Sequence, residues 1–168
     1  MTRCLFLLAL LISALSLSCR QDTEEQRILG LFDNLARLAE KKELEGMMTA
    51  FADDYSDFEG RNKAGLRNLL SGYFSGRTGI VVNRLSAEVE LEAGQSRATL
   101  KADIALSSGA AEALRRLVRV SPDLYRLNIE LSGGPGSWLI RYAEWTPISP
   151  TELLPESLSL FKKLSPKS

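Results

Sequence analysis

Four carboxylates, Asp53, Asp54, Asp57 and Glu59, fall within one short stretch of the chain and make its densest cluster of groups able to do chemistry. Calcium draws several oxygens from a single loop, and these side chains offer some of them. The spacing lacks the alternating acids, the central glycine and the distal glutamate of an EF-hand loop. The residues from Asp53 to Gly60 are therefore expected to form a solvated loop beside a helix, with no metal. Asp57 or Glu59 would then lie near the N-terminus of that following helix, where a carboxylate is stabilised by roughly 0.3–1 kcal/mol. The chain has no histidine. That removes the commonest metal ligand and the one side chain whose ordinary pKa suits proton transfer near neutrality. No cofactor is expected.

Other groups capable of acid–base work are Tyr55, Tyr73, Asp103 and Tyr142, and none sits in a catalytic motif. Strand alternation puts Asp103 on a polar face, whereas a catalytic carboxylate needs shelter, so no residue is assigned a catalytic role. Trp138, Tyr142 and Trp145 share one late strand. Alternation predicts Trp138, Ile140 and Tyr142 on one side, with Leu139, Arg141, Ala143 and Trp145 on the other. A strand apolar on both sides is expected to be central and buried. If Trp138 meets the helices, Arg141 and Trp145 face away from them and, with Tyr55, are the candidate residues for binding a ligand or partner. Arg115, Arg116 and Arg119 form a basic patch that reads as a solvated helix face, with contact to an acidic glycan or headgroup as the alternative.

The two cysteines take their meaning from position. Arg3 is followed by the apolar run 5–12 and by small residues at Ser16 and Ser18, the order of a secretory signal. The run is too short to span a bilayer, which takes about 20 apolar residues. Leu15-Ser16-Leu17-Ser18-Cys19 resembles the bacterial lipobox, with Leu one place further from the cysteine than usual. The resemblance implies cleavage after residue 18, acylation of Cys19 and a short tether over 19–22. Several acyl chains anchor durably, because each buried methylene contributes about 0.8 kcal/mol. Arg20 stands where an Asp would imply retention at the inner membrane, which favours the outer membrane, with the domain facing the periplasm. Cys4 is removed with the signal, so the core must fold without a disulfide.

The mature domain carries 20 basic and 21 acidic side chains once Arg3 is gone. A near-neutral balance gives no electrostatic footprint for nucleic acid, and none is expected as a partner. The 168 residues, 45% of them apolar, suit one modest core. Thr23 and Gln26 have the form of a capping box ahead of a helical stripe at Ile28, Leu31, Phe32, Leu35 and Leu38. Leu44, Met47, Met48 and Phe51 predict a second short helix with its methionines in the core. Leu66, Leu69, Leu70, Tyr73 and Phe74 predict a third, closed by Gly76 and Gly79.

From Ile80 the period changes to two. Ala87, Val89 and Leu91 alternate with glutamates. Ala98, Leu100, Ala102, Ile104 and Leu106 alternate with Arg97, Thr99, Lys101 and Asp103, so the two strands form a hairpin with its charged rows able to pair. Residues 110–120 are expected to form a weak amphipathic helix. Tyr125, Leu127, Ile129 and Leu131 open a second hairpin, turned by Gly133 to Gly136. Residues 23–146 make the domain, and 147–168 are a tail that is either a short packed helix or a loose strap.

Helices followed by an antiparallel meander give an α+β domain, with the N-terminal helices packed on a curved sheet. The pattern resembles the nuclear transport factor two-like superfamily, which includes ketosteroid isomerases and SnoaL-type cyclases. The resemblance rests on the Ile28/Leu31/Phe32/Leu35 stripe, the Phe51 to Tyr55 segment read as a helix exit, the Arg61 to Phe74 helix and the Trp138-Leu139-Ile140-Arg141 strand. It implies a cone with an apolar hollow, a shape used by enzymes, receptors and assembly modules alike. The expected function is a lipid-anchored, non-catalytic domain that binds a small apolar ligand or an envelope protein. An isomerase- or hydrolase-like enzyme and a structural accessory subunit of an envelope complex are the alternatives. A buried carboxylate facing a tyrosine across the hollow would favour the enzyme.

Overall fold

The computed structural model describes residues 23–94, 96–107, 123–134 and 136–153. The segment expected to be a signal, with Cys19, the weak helix expected to carry Arg115, Arg116 and Arg119, and the tail beyond Leu153 lie outside the described residues.

Helix α1, Glu24–Lys41, begins as its sequence dictates: the Thr23 hydroxyl accepts from the Gln26 amide at 3.3 Å, and the Gln26 side chain accepts from the Thr23 amide at 3.1 Å. Each bond satisfies an amide that the first turn would otherwise leave without a partner. Its stripe of Ile28, Phe32, Leu35 and Leu38 is buried. Helix α2, Leu44–Met48, turns Met47 and Met48 into the core. Helix α3, Lys63–Ser75, is capped by the Asn62 side chain, which accepts from the Gly65 amide at 2.9 Å, and it ends at Gly76.

Among the described residues, five strands form one sheet in the order β1-β5-β4-β3-β2. They are β1 Phe51–Asp57, β2 Val81–Leu91, β3 Arg97–Ser107, β4 Asp123–Gly134 and β5 Ser137–Pro147. Strands β2 to β5 form the antiparallel meander, and β1 adds in parallel along β5, so the sheet is mixed. On the helix side, rows run straight across it: Val89, Leu100, Ile129 and Ala143 form one, and Leu91, Ala98, Leu131 and Ile140 another. Ile28 and Leu100 are fully buried where α1 crosses these rows. The opposite face carries the charges, with Lys101 reaching Glu90 at 2.9 Å and Arg126 reaching Asp103 at 2.8 Å.

Two expectations are corrected. The carboxylate-rich segment is strand β1, with Asp53 and Asp54 exposed and Tyr55 and Asp57 buried, instead of a loop. Alternation, not solvation, decides which of its acids meet water. Phe51 accordingly opens this strand instead of continuing the preceding helix. On β5 the alternation is broken by a bulge, since Leu131 pairs with Ile140 and the adjacent Glu130 pairs with Tyr142. Arg141 is the extra residue, so every side chain after it changes face. Trp138 and Ile140 point to the helices, as do Ala143 and Trp145, while Tyr142 and Glu144 point away. A second bulge, at Leu85, interrupts the β2–β3 pairing.

Candidate functional site

A hollow of about 530 Å³ opens between α3 and the part of the sheet beyond α1. Helix α3 contributes Leu66, Leu69, Leu70, Tyr73 and Phe74, the helical stripe read from the sequence. The sheet contributes Ile104, Leu106, Tyr125, Leu127 and Trp145, with Ala39 of α1 and Ile80 completing the wall. The hollow lies between the apolar stripe of α3 and the part of the sheet around Tyr125, Leu127 and Trp145, with the C-terminal end of α1 at its edge through Ala39. The lining is almost wholly hydrocarbon and aromatic, the character of small-molecule sites. Leu69 and Phe58 are each 42% exposed beside it.

One polar assembly forms the rim. The Asp57 carboxylate is withdrawn completely from solvent and accepts from the Glu59 amide at 3.0 Å, the Arg61 amide at 2.9 Å and Arg61 Nε at 2.7 Å. These three donors hold the turn that connects β1 to α3. Arg61 also pairs with Glu59, and its guanidinium lies 5.4 Å from the centre of the Trp145 ring. Phe58 meets the same indole edge-on, at 4.7 Å between centroids. The indole is thereby fixed on two sides, a cation–π contact and an aromatic edge.

The residues singled out from the sequence do not converge on one site. Trp145 lines the hollow. Tyr55, 2% exposed, lies in the core with its ring edge-on to Phe51 at 5.1 Å, and its hydroxyl has no hydrogen-bond partner among the described residues. Burial, reinforced by the Asp57 carboxylate, pushes its phenol well above the ordinary range. Arg141 is on the outer face, paired with Asp54. Tyr142 shares that face, as does Asp103, held by Arg126. The four clustered acids each engage a basic side chain: Asp53 with Lys63 at 3.0 Å, Asp54 with Arg141, and Asp57 and Glu59 with Arg61. They form no common cage.

Arg61 and Tyr73 were not singled out as binding residues. For Arg61 the signal was the Asp57-x-x-x-Arg61 spacing; for Tyr73 it was a polar atom within an otherwise apolar stripe. Tyr73 contributes to the wall of the hollow, but its hydroxyl oxygen is buried and has no hydrogen-bond partner among the described residues. The Arg77 guanidinium lies 4.1 Å from its ring centre. Burial raises the phenol's pKa, so it remains a hydrogen-bond donor at neutral pH.

No protein-family model matches the chain, and no curated protein sequence matches it. Solved structures do. A proposed dehydratase of the NTF2-like (nuclear transport factor two-like) family from Streptomyces avermitilis superimposes with a TM-score of 0.62 at 11% identity, covering 76% of this chain and 99% of that one. An NTF2-like protein of unknown function from Pseudomonas putida gives 0.60 at 14% identity over 77% and 91%. Bd1075 of Bdellovibrio bacteriovorus gives 0.60 at 15% identity over 74% of this chain, which spans only 41% of that longer one. Identities this low speak to architecture and leave activity open. The helix order, the bent five-stranded sheet and these superpositions together give the chain the NTF2-like α+β cone fold.

Proposed function

We propose that the chain is a lipid-anchored domain of the bacterial envelope that holds a small apolar ligand in the hollow between α3 and the sheet, without catalysing a reaction on it. The observation that carries this reading is the hollow itself, about 530 Å³ of space walled by Leu66, Leu70, Phe74, Ile104, Leu127 and Trp145. Contiguous apolar surface of this kind is costly to leave in water and is usually covered by something. Anchoring through Cys19 comes from the lipobox-like segment, and residence at the outer membrane from Arg20 in the place of an Asp. Among the described residues no helix is long and apolar enough to cross a membrane, in keeping with a domain held by acyl chains.

The enzyme reading draws on the proposed dehydratase among the similar structures. It requires an acid or base sheltered inside the hollow. The carboxylate that lines it is Glu59, whose side chain is half exposed and paired with Arg61. Asp57 is sheltered but is consumed by Arg61 and two amides. Binding without chemistry is the reading these contacts favour.

The test has two parts. Mass spectrometry of protein recovered from its native membranes should find an N-terminal peptide that begins at acylated Cys19; an intact, unacylated N-terminus removes the anchor from the account. Solvent extraction of that protein should release a lipophilic compound absent from an Ala39→Phe variant, whose new ring fills the hollow. Identical extracts from the two proteins would argue against occupancy of this space.

A further inference from the structure

We infer that the free edge of β2, from Ser86 to Leu91, docks an extended segment of a partner protein in which apolar and basic residues alternate. The inference stands apart from the hollow and its ligand. Strand β2 is the last of the sheet and is paired on one side only, with β3. The Glu92 amide donates to the Arg97 carbonyl at 3.0 Å, which fixes the phase of that ladder. Residues bonded to β3 alternate with residues turned away from it, so the N–H and C=O groups of Ala87, Val89 and Leu91 point out of the sheet. They have no hydrogen-bond partner among the described residues.

The first half of the same edge is guarded. The Glu40 carboxylate accepts from the Val82 amide at 3.0 Å, Arg84 is held by Asp33 at 2.9 Å, and the bulge at Leu85 interrupts the strand. Such devices keep a strand edge from pairing with another chain. From Ser86 onward the pairing with β3 is regular, and nothing among the described residues covers the edge in this way.

The side chains define the occupant. On the helix side Ala87, Val89 and Leu91 are only partly buried. So is Leu29, which helical spacing puts on the flank of α1 that carries Asp33 to β2. Apolar residues on an added strand would finish covering this surface. On the opposite side Glu88, Glu90 and Glu92 form an exposed acidic row. Within the sheet Lys101 pairs with Glu90 at 2.9 Å, and Arg97 lies across from Glu92. Beyond the edge the row meets no base among the described residues. A second copy of β2 would set glutamate against glutamate, whereas basic side chains on an added strand would match the row. Main-chain bonds then supply affinity, and the alternating side chains supply specificity.

The intact chain in a non-ionic detergent is tested with three fluorescein-labelled peptides long enough to pair with the whole edge. One alternates lysine and valine, one carries glutamate in place of lysine, and one is the lysine–valine peptide with every backbone amide methylated. Fluorescence polarisation should show the first binding at least about tenfold more tightly than either of the others. Hydrogen exchange, read at single residues by mass spectrometry, should find the Ala87, Val89 and Leu91 amides fast in the free protein and slowed at least about tenfold by the bound peptide. Val89→Pro removes an amide that points away from β3, so it should abolish binding and preserve the sheet. Glu88→Gln combined with Glu92→Gln should erase most of the preference for lysine over glutamate. Equal binding of the methylated peptide would reduce the interaction to charge, and equal binding of the glutamate peptide would remove the stated partner chemistry; either overturns the inference. Slow exchange of the three amides in the free protein would show the edge already occupied, by a second copy or by another segment of the chain, and would overturn it as well. The exchange measurement in unmodified protein decides even if Val89→Pro folds poorly.

Discussion

Trp138 and Trp145, separated by an odd number of positions on β5, face the same side of the sheet. A regular strand would oppose them, and the bulge at Arg141 between them supplies the missing half-period. The consequence is functional. Trp138 is buried in the core, its indole N–H donating to Glu24 at 2.8 Å, and Trp145 becomes a wall of the hollow, clamped by Arg61 and Phe58. Without the bulge, Trp145 would stand with Leu139 and Arg141 on the charged outer face, and Tyr142 and Glu144 would turn towards the helices.

The buried carboxylate of β1 should dominate the stability of that corner. Asp57→Ala leaves two amides without their acceptor and Arg61 with Glu59 as its remaining carboxylate, and a loss of about 2–4 kcal/mol is expected in urea unfolding. Asp54→Ala breaks an exposed pair with Arg141 and should cost less than ~1 kcal/mol. Similar costs for the two would mean that Asp57 does not organise the β1–α3 turn.

Alkaline stability should depend on Tyr55. In the unfolded chain its phenol ionises near the usual value of about 10, whereas burial holds it protonated well above that in the fold. Its contribution is therefore complete below about pH 10 and is lost as pH rises towards the folded-state value, because the unfolded chain releases its proton first. Tyr55→Phe should flatten the decline measured between about pH 10 and 12 by thermal melting. An unchanged slope would place the titrating group elsewhere.

Gly133 fixes the β4–β5 turn by having no side chain. A Cβ built there would lie 1.9 Å from the Ser137 carbonyl oxygen, an overlap only backbone movement can relieve. Gly133→Ala should destabilise the fold by at least ~2 kcal/mol in urea unfolding, whereas Gly134→Ala, with nothing within 4 Å, should be milder. Equal effects would show that the hairpin shifts freely.

Tyr73→Phe should leave the melting temperature unchanged or raise it by a few degrees, since it removes a buried hydroxyl without a partner among the described residues. A marked fall in the melting temperature would mean that the hydroxyl has a structural partner.

The layering of helices on a meander was legible because each element carries one clear period: the Ile28 to Leu38 stripe, the rows on β3 and β4, the Thr23–Gln26 cap. Strand β1 was not, because Phe51-Ala52-Asp53-Asp54 alternates in pairs. The pairing with β5 is irregular between Phe51 and Ser56, so no period of two survives there. The face of Trp145 was misread for a related reason: nothing in the residues around Arg141 announces an extra residue, and a single bulge inverts all that follows. The helix side of the hollow was legible as an apolar stripe, but that the stripe borders space instead of a packed neighbour depends on where α1 ends along the sheet. That is a property of assembled elements, which no local pattern carries.

The central claim is that the hollow holds an apolar ligand, and Trp145 reports on it directly. Titrating N-phenyl-1-naphthylamine against the protein while exciting tryptophan should give saturable energy transfer to the dye at one site per chain. The signal should be strongly reduced in Trp145→Phe, although Trp138 remains, and dye binding should disappear in Ala39→Phe with the fold intact by circular dichroism. Saturable binding that survives undiminished in a folded Ala39→Phe protein, or no saturable binding at all, would contradict the account.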